Sequence, residues 1–307
     1  MPPESFGPPE SNVQGSLAEQ DPMNSFPHQS SWDVATRYHE FKKRVGAKQP
    51  ALLAYRTLAV DAILERARLV LGSVVRPTWV AEAPWTDLPK GAIDPELDLE
   101  VSFENSPELL IGAPVQGSSL WMTYQMHRSQ GVVLAVDTSL SMTGEKLALT
   151  AVALAVVLLQ FPEDPIGIVA FENEANILKR PHETLSVKEV IERFMDVPAQ
   201  GYTHLESGLK AALQLSREIP KMIRTKRIST VLLSDGKYTA GRDPVYLAPS
   251  FNHLVVLKMG RERASRGLCE ELALKGRGLL KEVPELEALP QVMYGVVKDL
   301  LRGRVGS

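Results

Sequence analysis

Four short, nearly uninterrupted apolar runs recur through the second half of this chain, at residues 132–136, 166–171, 230–233 and 254–257. A strand with one wet face alternates apolar and polar residues, whereas an unbroken run predicts a strand buried on both faces. Between the runs lie segments with helical spacing of apolar residues, at 145–160, 186–195, 205–217 and 265–274. A short strand over 279–283 and a last helix over 284–301 complete the pattern. Strands alternating with helices predict an α/β fold, a doubly wound and mostly parallel sheet with helices on both faces. Ser186, followed three residues later by Glu189, marks a helix start with a capping box.

The first half reads differently. Residues 1–30 hold six prolines among Ser, Gln, Asn and Glu, which predicts a disordered tail. A short helix is expected over 32–45, and a longer one from Pro50 with Gly72 as its stop. Residues 76–95, rich in Pro and Trp, look irregular. Residues 97–104 alternate apolar and acidic side chains, the pattern of a strand with one wet face, and the acidic side is read as solvated. The expected organisation is therefore a tail (1–30), an N-terminal helical and strand region (31–129) and a sheet domain (130–303).

Composition removes several function classes. With 307 residues, 44% hydrophobic and 23% charged, the chain can bury a sizeable core. A net charge of -3 argues against a general nucleic-acid binder, and 6% aromatics against a stacking platform for single strands. The single cysteine, Cys269, forms no internal disulfide and is expected to be buried and inert. The first 30 residues contain no Lys or Arg and no long apolar run, so no signal peptide is legible. The most apolar stretch, 147–159, is too short to span a membrane and is expected to pack on the sheet. A cytoplasmic protein is the resulting expectation.

Chemistry concentrates at one end of the predicted sheet. Asp137, Ser139 and Ser141 follow the first buried strand at positions 0, 2 and 4. Thr203 lies in a loop before a helix, and Asp235 ends another buried strand. In an open parallel sheet, ligands sit beyond the carboxyl ends of the strands, where strand order reverses. Two carboxylates and three hydroxyls are all hard oxygen donors, a set that selects Mg2+ over Zn2+. Their low formal charge leaves room for an acidic ligand from outside.

These residues resemble the von Willebrand factor A (VWA) domain with its metal-ion-dependent adhesion site: Asp-x-Ser-x-Ser, a distant Thr, a distant Asp. Thr203 follows Ser141 by 62 residues and Asp235 follows Thr203 by 32, and the likeness covers roughly 130–302. The resemblance implies that Ser139, Ser141 and Thr203 bind Mg2+ (or Mn2+ or Ca2+) directly. Asp137 and Asp235 would act through bound waters, and a partner's Asp or Glu would complete the coordination. Bacterial relatives often have Gly where this chain has Leu140, which adds an apolar side chain at the rim. Gly144-Glu145-Lys146-Leu147-Ala148, Gly241-Arg242-Asp243-Pro244, Leu289-Pro290 and the stretch from Asp98 to Asn105 resemble intracellular bacterial members. That subgroup implies partnership with a MoxR-type AAA+ ATPase, or with its target, in metal insertion, assembly or remodelling.

A haloacid-dehalogenase-type phosphatase needs Asp-x-Asp, and Ser139 occupies the second position, so the general acid is missing. No Gly-x-x-x-x-Gly-Lys-Ser/Thr occurs, and Gly276-Arg277-Gly278 lacks a third glycine, so it is read as a helix end and turn. His204 and Arg242 stand beside the predicted site as rim residues, with local hydrogen bonding and a solvated rim as the plainer alternatives. Arg261, Arg263 and Arg266 belong to the same rim. Lys221, Arg224, Lys226 and Arg227 precede a strand at the opposite end and are assigned no function. The expected function is a non-catalytic, metal-dependent protein-binding module. A scaffold with a purely structural cation, and an extracellular adhesin, stay open at this point.

Overall fold

A computed structural model of the protein describes residues 31–45, 50–71, 78–127, 131–199, 201–221 and 228–301. The expected tail over 1–30, the stop at Gly72 and the basic residues 224–227 lie outside them. The main sheet contains β4 (Val132–Asp137), β5 (Ile166–Phe171), β6 (Ala175–Lys179), β7 (Ser229–Ser234), β8 (His253–Met259) and β9 (Leu280–Val283), in the order β6-β5-β4-β7-β8-β9. All neighbours are parallel except β5 and β6. The chain runs from β4 outward to β5 and β6, then crosses back to β7 on the other side. Strand order thus reverses at β4, and the crevice beyond the carboxyl ends of β4 and β7 is the natural ligand position.

Side-chain alternation divides the sheet into two apolar faces. Val132, Leu134 and Val136 join the core that holds α1 (Ser31–Val45), α2 (Pro50–Val70), α4 (Glu145–Gln160), α5 (Val187–Asp196) and α8 (Leu289–Leu301). Val133 and Ala135 join the opposite core, with α6 (Leu205–Glu218), α7 (Arg266–Lys275) and a 3-10 segment at Pro244–Ser250. Helix α4 is buried from Leu147 through Leu158 because it touches α1, α2 and α8 as well as α5. A helix apolar on all sides is a core helix when every side is covered, which explains the run at 147–159 without lipid. No helix among the described residues is long and apolar enough to cross a membrane. The predicted capping box is present, with the Glu189 amide donating to Ser186 Oγ and the Ser186 amide to Glu189 Oε2.

The N-terminal helices are fastened to the end of α5 by one carboxylate. Tyr38 donates to Asp196 Oδ1 at 3.0 Å, Arg56 pairs with Oδ2 at 2.6 Å, and Lys42 donates to the Asp196 carbonyl at 2.7 Å. His39 is buried beside this clasp, and its Nε2 has no hydrogen-bond partner among the described residues. Burial, with Lys42 and Lys43 adding like charge and Asp196 opposing them, pushes the imidazole down to about 4. The unfolded imidazole titrates near 6.5, so protonation favours unfolding as pH falls through the window from about 6.5 to about 4. His39→Leu is expected to remove on the order of 3 kcal/mol of that acid sensitivity at pH near 4, read as the difference between wild-type and variant denaturant curves across pH.

The region before β4 departs from expectation. Residues 78–127 form a separate three-stranded antiparallel sheet in the order β1-β3-β2, from β1 (Thr78–Pro84), β2 (Ile93–Asp98) and β3 (Trp121–His127). The stretch expected to be irregular therefore contains β1 and the start of β2. The strand expected over 97–104 is wrong beyond Asp98, where α3 (Leu99–Asn105) begins. Asp98 caps that helix by accepting from the Val101 amide at 3.0 Å, and Ser102, buried in its second turn, accepts from the Trp121 amide at 2.8 Å. A local cap overrode the last six residues of an alternation whose leucines, Leu97 and Leu99, are both exposed.

Candidate metal centre

Strand β4 delivers Asp137 into the crevice with its side chain fully buried. Its Oδ1 accepts from the Ser139 amide at 2.9 Å and its Oδ2 from the Ser234 hydroxyl at 2.7 Å. Thr138 is pinned to the neighbouring strand, its amide and hydroxyl both donating to the Phe171 carbonyl. The chain then makes a 3-10 turn at Leu140–Met142. That turn sets the hydroxyls of Ser139 and Ser141 only 3.1 Å apart, the first buried and the second exposed.

The loop carrying Thr203 is clamped on both sides. The Gly201 carbonyl accepts from the Leu140 amide at 3.3 Å, which brings this loop against the first. The Gly201 amide donates to Glu172 Oε2, and the Tyr202 amide to Asn173 Oδ1, each at 2.8 Å. Toward β7, the Thr203 amide donates to Thr239 Oγ1 at 3.0 Å, while its carbonyl accepts from the amides of Thr239 and Ala240. Asp235 completes the ring of loops: its carbonyl accepts from Ser265 Oγ at 2.5 Å, and its Oδ1 from the Lys237 amide at 3.1 Å. The structure thus brings Asp137, Ser139, Ser141, Thr203 and Asp235 onto three adjoining loops at the carboxyl ends of β4 and β7.

Asp137 and Asp235 are both buried, and among the described residues neither forms an ion pair. Burial, with the like charge of Asp235 adding, pushes Asp137 up to about 6 despite the hydrogen bonds from Ser139 and Ser234. A buried uncompensated carboxylate is costly, and a divalent cation would relieve that cost. No group of three His, Cys, Asp or Glu side chains suited to a metal occurs among the described residues. The donor set is therefore hydroxyls plus two carboxylates, which fits a hard cation such as Mg2+.

The rim residues fall as follows. Leu140 is 57% exposed beside the two serines. His204 Nδ1 lies 2.9 Å from the Asn173 carbonyl, a local hydrogen bond. The Arg242 amide donates to Glu206 Oε2 at 2.9 Å. Of the other rim arginines, Arg261 pairs with Glu285 and Arg266 with Glu270, which weakens any steering field. Cys269 is buried, and burial pushes its thiol up to about 11.

Three supporting residues had no role in the sequence reading. Ser234 bonds Asp137, Thr239 bonds the Thr203 amide, and Glu206 binds Lys210, Tyr246 and the Arg242 amide. Those bonds hold the Glu206 carboxyl well below the usual range and tie the 242–246 segment to the start of α6. Only Ser234 was signalled in the sequence: it is adjacent to Asp235 at the end of a buried strand.

The sequence profile of the von Willebrand factor type A domain matches residues 132–237. The fold is of the von Willebrand factor A type. That fold is generally a non-enzymatic interaction module. Among solved structures, proximal thread matrix protein 1 of the mussel byssus is 17% identical, with a TM-score of 0.48 over 57% of this chain and 48% of its own. BatB of Bacteroides thetaiotaomicron is 18% identical, with a TM-score of 0.42 over 55% of this chain and 98% of its own. A von Willebrand factor type A protein of Catenulispora acidiphila is 14% identical, with a TM-score of 0.46 over 76% of this chain and 51% of its own. This chain thus spans about half the length of the mussel and Catenulispora proteins. No curated protein matches it.

Proposed function

We propose that the A domain, over residues 130–303, is a non-catalytic module that binds a partner protein through a divalent cation. The observation that carries this reading is the pair of buried carboxylates, Asp137 and Asp235, without an ion pair among the described residues, beside two hydroxyls 3.1 Å apart. Ser139, Ser141 and Thr203 would hold Mg2+ directly, with Asp137 and Asp235 acting through water. The cation supplies an unsatisfied positive charge for an Asp or Glu of the partner. The protein's own task is to keep the three loops in place. Bonds among the loops already do so, including Leu140 to Gly201 and Thr203 to Thr239. The scaffold reading differs in its outcome on chelation: it predicts a lower melting temperature with partner capture unchanged. A phosphatase is disfavoured because both Asp137 oxygens accept hydrogen bonds and no second acid stands at position 139.

The partner class follows from the resemblance in the sequence: a cytoplasmic MoxR-type AAA+ ATPase or a target it remodels. The test is capture of a purified MoxR-type ATPase by the immobilised chain with Mg2+ or with EDTA. Capture is expected to be lost on chelation and in Asp137→Ala. Capture unaffected by both would remove the metal from the interaction.

A further inference from the structure

The lobe at 78–127 has two edges, and they are built differently. On β2, Pro95 has no amide hydrogen, the register breaks between Ile93 and Glu96, and Asp94 sits at φ 46°. Such features stop a sheet from pairing further. Strand β1 carries no lysine, no bulge, and no proline before its last residue, Pro84. Its successive residues Trp79 and Val80, which point to opposite faces, are 51% and 64% exposed. Among the described residues, β1 pairs only with β3. Among the described residues its outer N–H and C=O groups have no strand partner and form an open template.

The lobe's surface says what fits that template. Among the described residues, eight of the sixteen exposed large apolar side chains lie in this lobe, including Trp79, Val80, Trp85, Leu110, Ile111 and Val115. The same 50 residues hold eight carboxylates against one basic side chain, Lys90, while the whole chain nets only -3. That field repels nucleic acid and anionic lipid. It also opposes pairing of β1 with β1 of a second copy, which would bring two acidic lobes together.

We infer that the outer edge of β1 is a docking site for an extended, basic and apolar segment of a partner protein, which adds to the small sheet as a further strand. Backbone pairing supplies the affinity, and alternate side chains supply the choice of partner. Trp79 meets the segment's apolar residues on one face, and Glu82, on the face it shares with Val80, meets its cations. This surface is separate from the metal centre, which lies at the ends of β4 and β7.

The probe is a fluorescent peptide of alternating Lys and Val, titrated with the full chain and read by anisotropy. Binding is expected, unchanged by EDTA and weakened at least about tenfold near 1 M salt, where the Debye length is about 3 Å. Val80→Lys is expected to weaken it comparably, with circular dichroism confirming the fold. If that variant misfolds, Glu82→Lys at another exposed position of β1 replaces it. The same peptide methylated at alternate backbone nitrogens is expected not to bind. The proposal is overturned by absence of binding, by equal binding of the methylated peptide, or by indifference to the substitutions. Sedimentation of the free chain as a dimer that Val80→Lys dissociates would overturn it too, by assigning the edge to a second copy.

Discussion

Mg2+ at about 100 times its Kd is expected to raise the stability of the wild-type chain by about 2.7 kcal/mol, and that of Asp137→Ala not at all. For a domain of this size the increment corresponds to a melting-temperature rise of roughly 5–10 °C. Thermal melts with Mg2+ and with EDTA read it directly. The reason is electrostatic: Asp137 and Asp235 are buried near one another, and among the described residues neither forms an ion pair, so a divalent cation has most to gain there. A proton competes for the same charge. Burial raises Asp137 to about 6, so the Mg2+ increment is expected to be full near pH 8 and to shrink as pH falls through about 6. Without metal the sign is opposite for this group. A carboxyl with a raised folded pKa stabilises the fold below the unfolded pKa, and that contribution is lost as pH rises from about 4 to about 6. Asp137→Asn is expected to flatten the metal-free dependence in that window.

The second large effect lies far from the crevice. Gly278→Ala is expected to destabilise the fold by about 3 kcal/mol, because a Cβ there would lie 1.9 Å from the Leu254 carbonyl oxygen and 2.4 Å from its carbon. These are backbone atoms of β8, which is buried along its length and cannot step aside. Gly278 follows Arg277, which takes φ 53° as the chain leaves α7. The Gly276 and Gly278 amides bond back to the carbonyls of Leu272 and Ala273. This Gly-x-Gly is therefore a helix end pressed onto a strand, as the sequence suggested when it failed as a nucleotide fingerprint. Gly267→Ala, in the first turn of α7, meets nothing within 4 Å and is the control. It is expected to be neutral or to stabilise by less than about 1 kcal/mol in denaturant melts.

What the sequence revealed depended on how strongly burial constrained each segment. Strands β4, β5, β7 and β8 are buried along their whole length, so their composition has one explanation, and the predicted runs fall inside them. Helix α4 was found to the residue because its apolar run has a clear start after Gly144. The small lobe was illegible for the opposite reason. Its strands are exposed on much of both faces, so no burial pattern was written into β1, and cross-strand pairing alone decided the register. Strand β6 escaped because five residues of an antiparallel edge carry too little pattern. At the crevice, the residues bearing carboxylates or hydroxyls in the Asp-x-Ser-x-Ser frame could be named from spacing. Their supports could not. Glu206 and Thr239 act only once separate loops meet, and nothing in their local sequence distinguishes them from ordinary surface polar residues.

One divalent cation is expected among the three loops of the crevice. Anomalous scattering from crystals of the chain grown with Mn2+ tests it most directly. A single strong peak is expected within about 2.0–2.3 Å of the hydroxyl oxygens of Ser139, Ser141 and Thr203. A crevice without a peak at saturating Mn2+, or a peak bound elsewhere with those hydroxyls facing away, would contradict it.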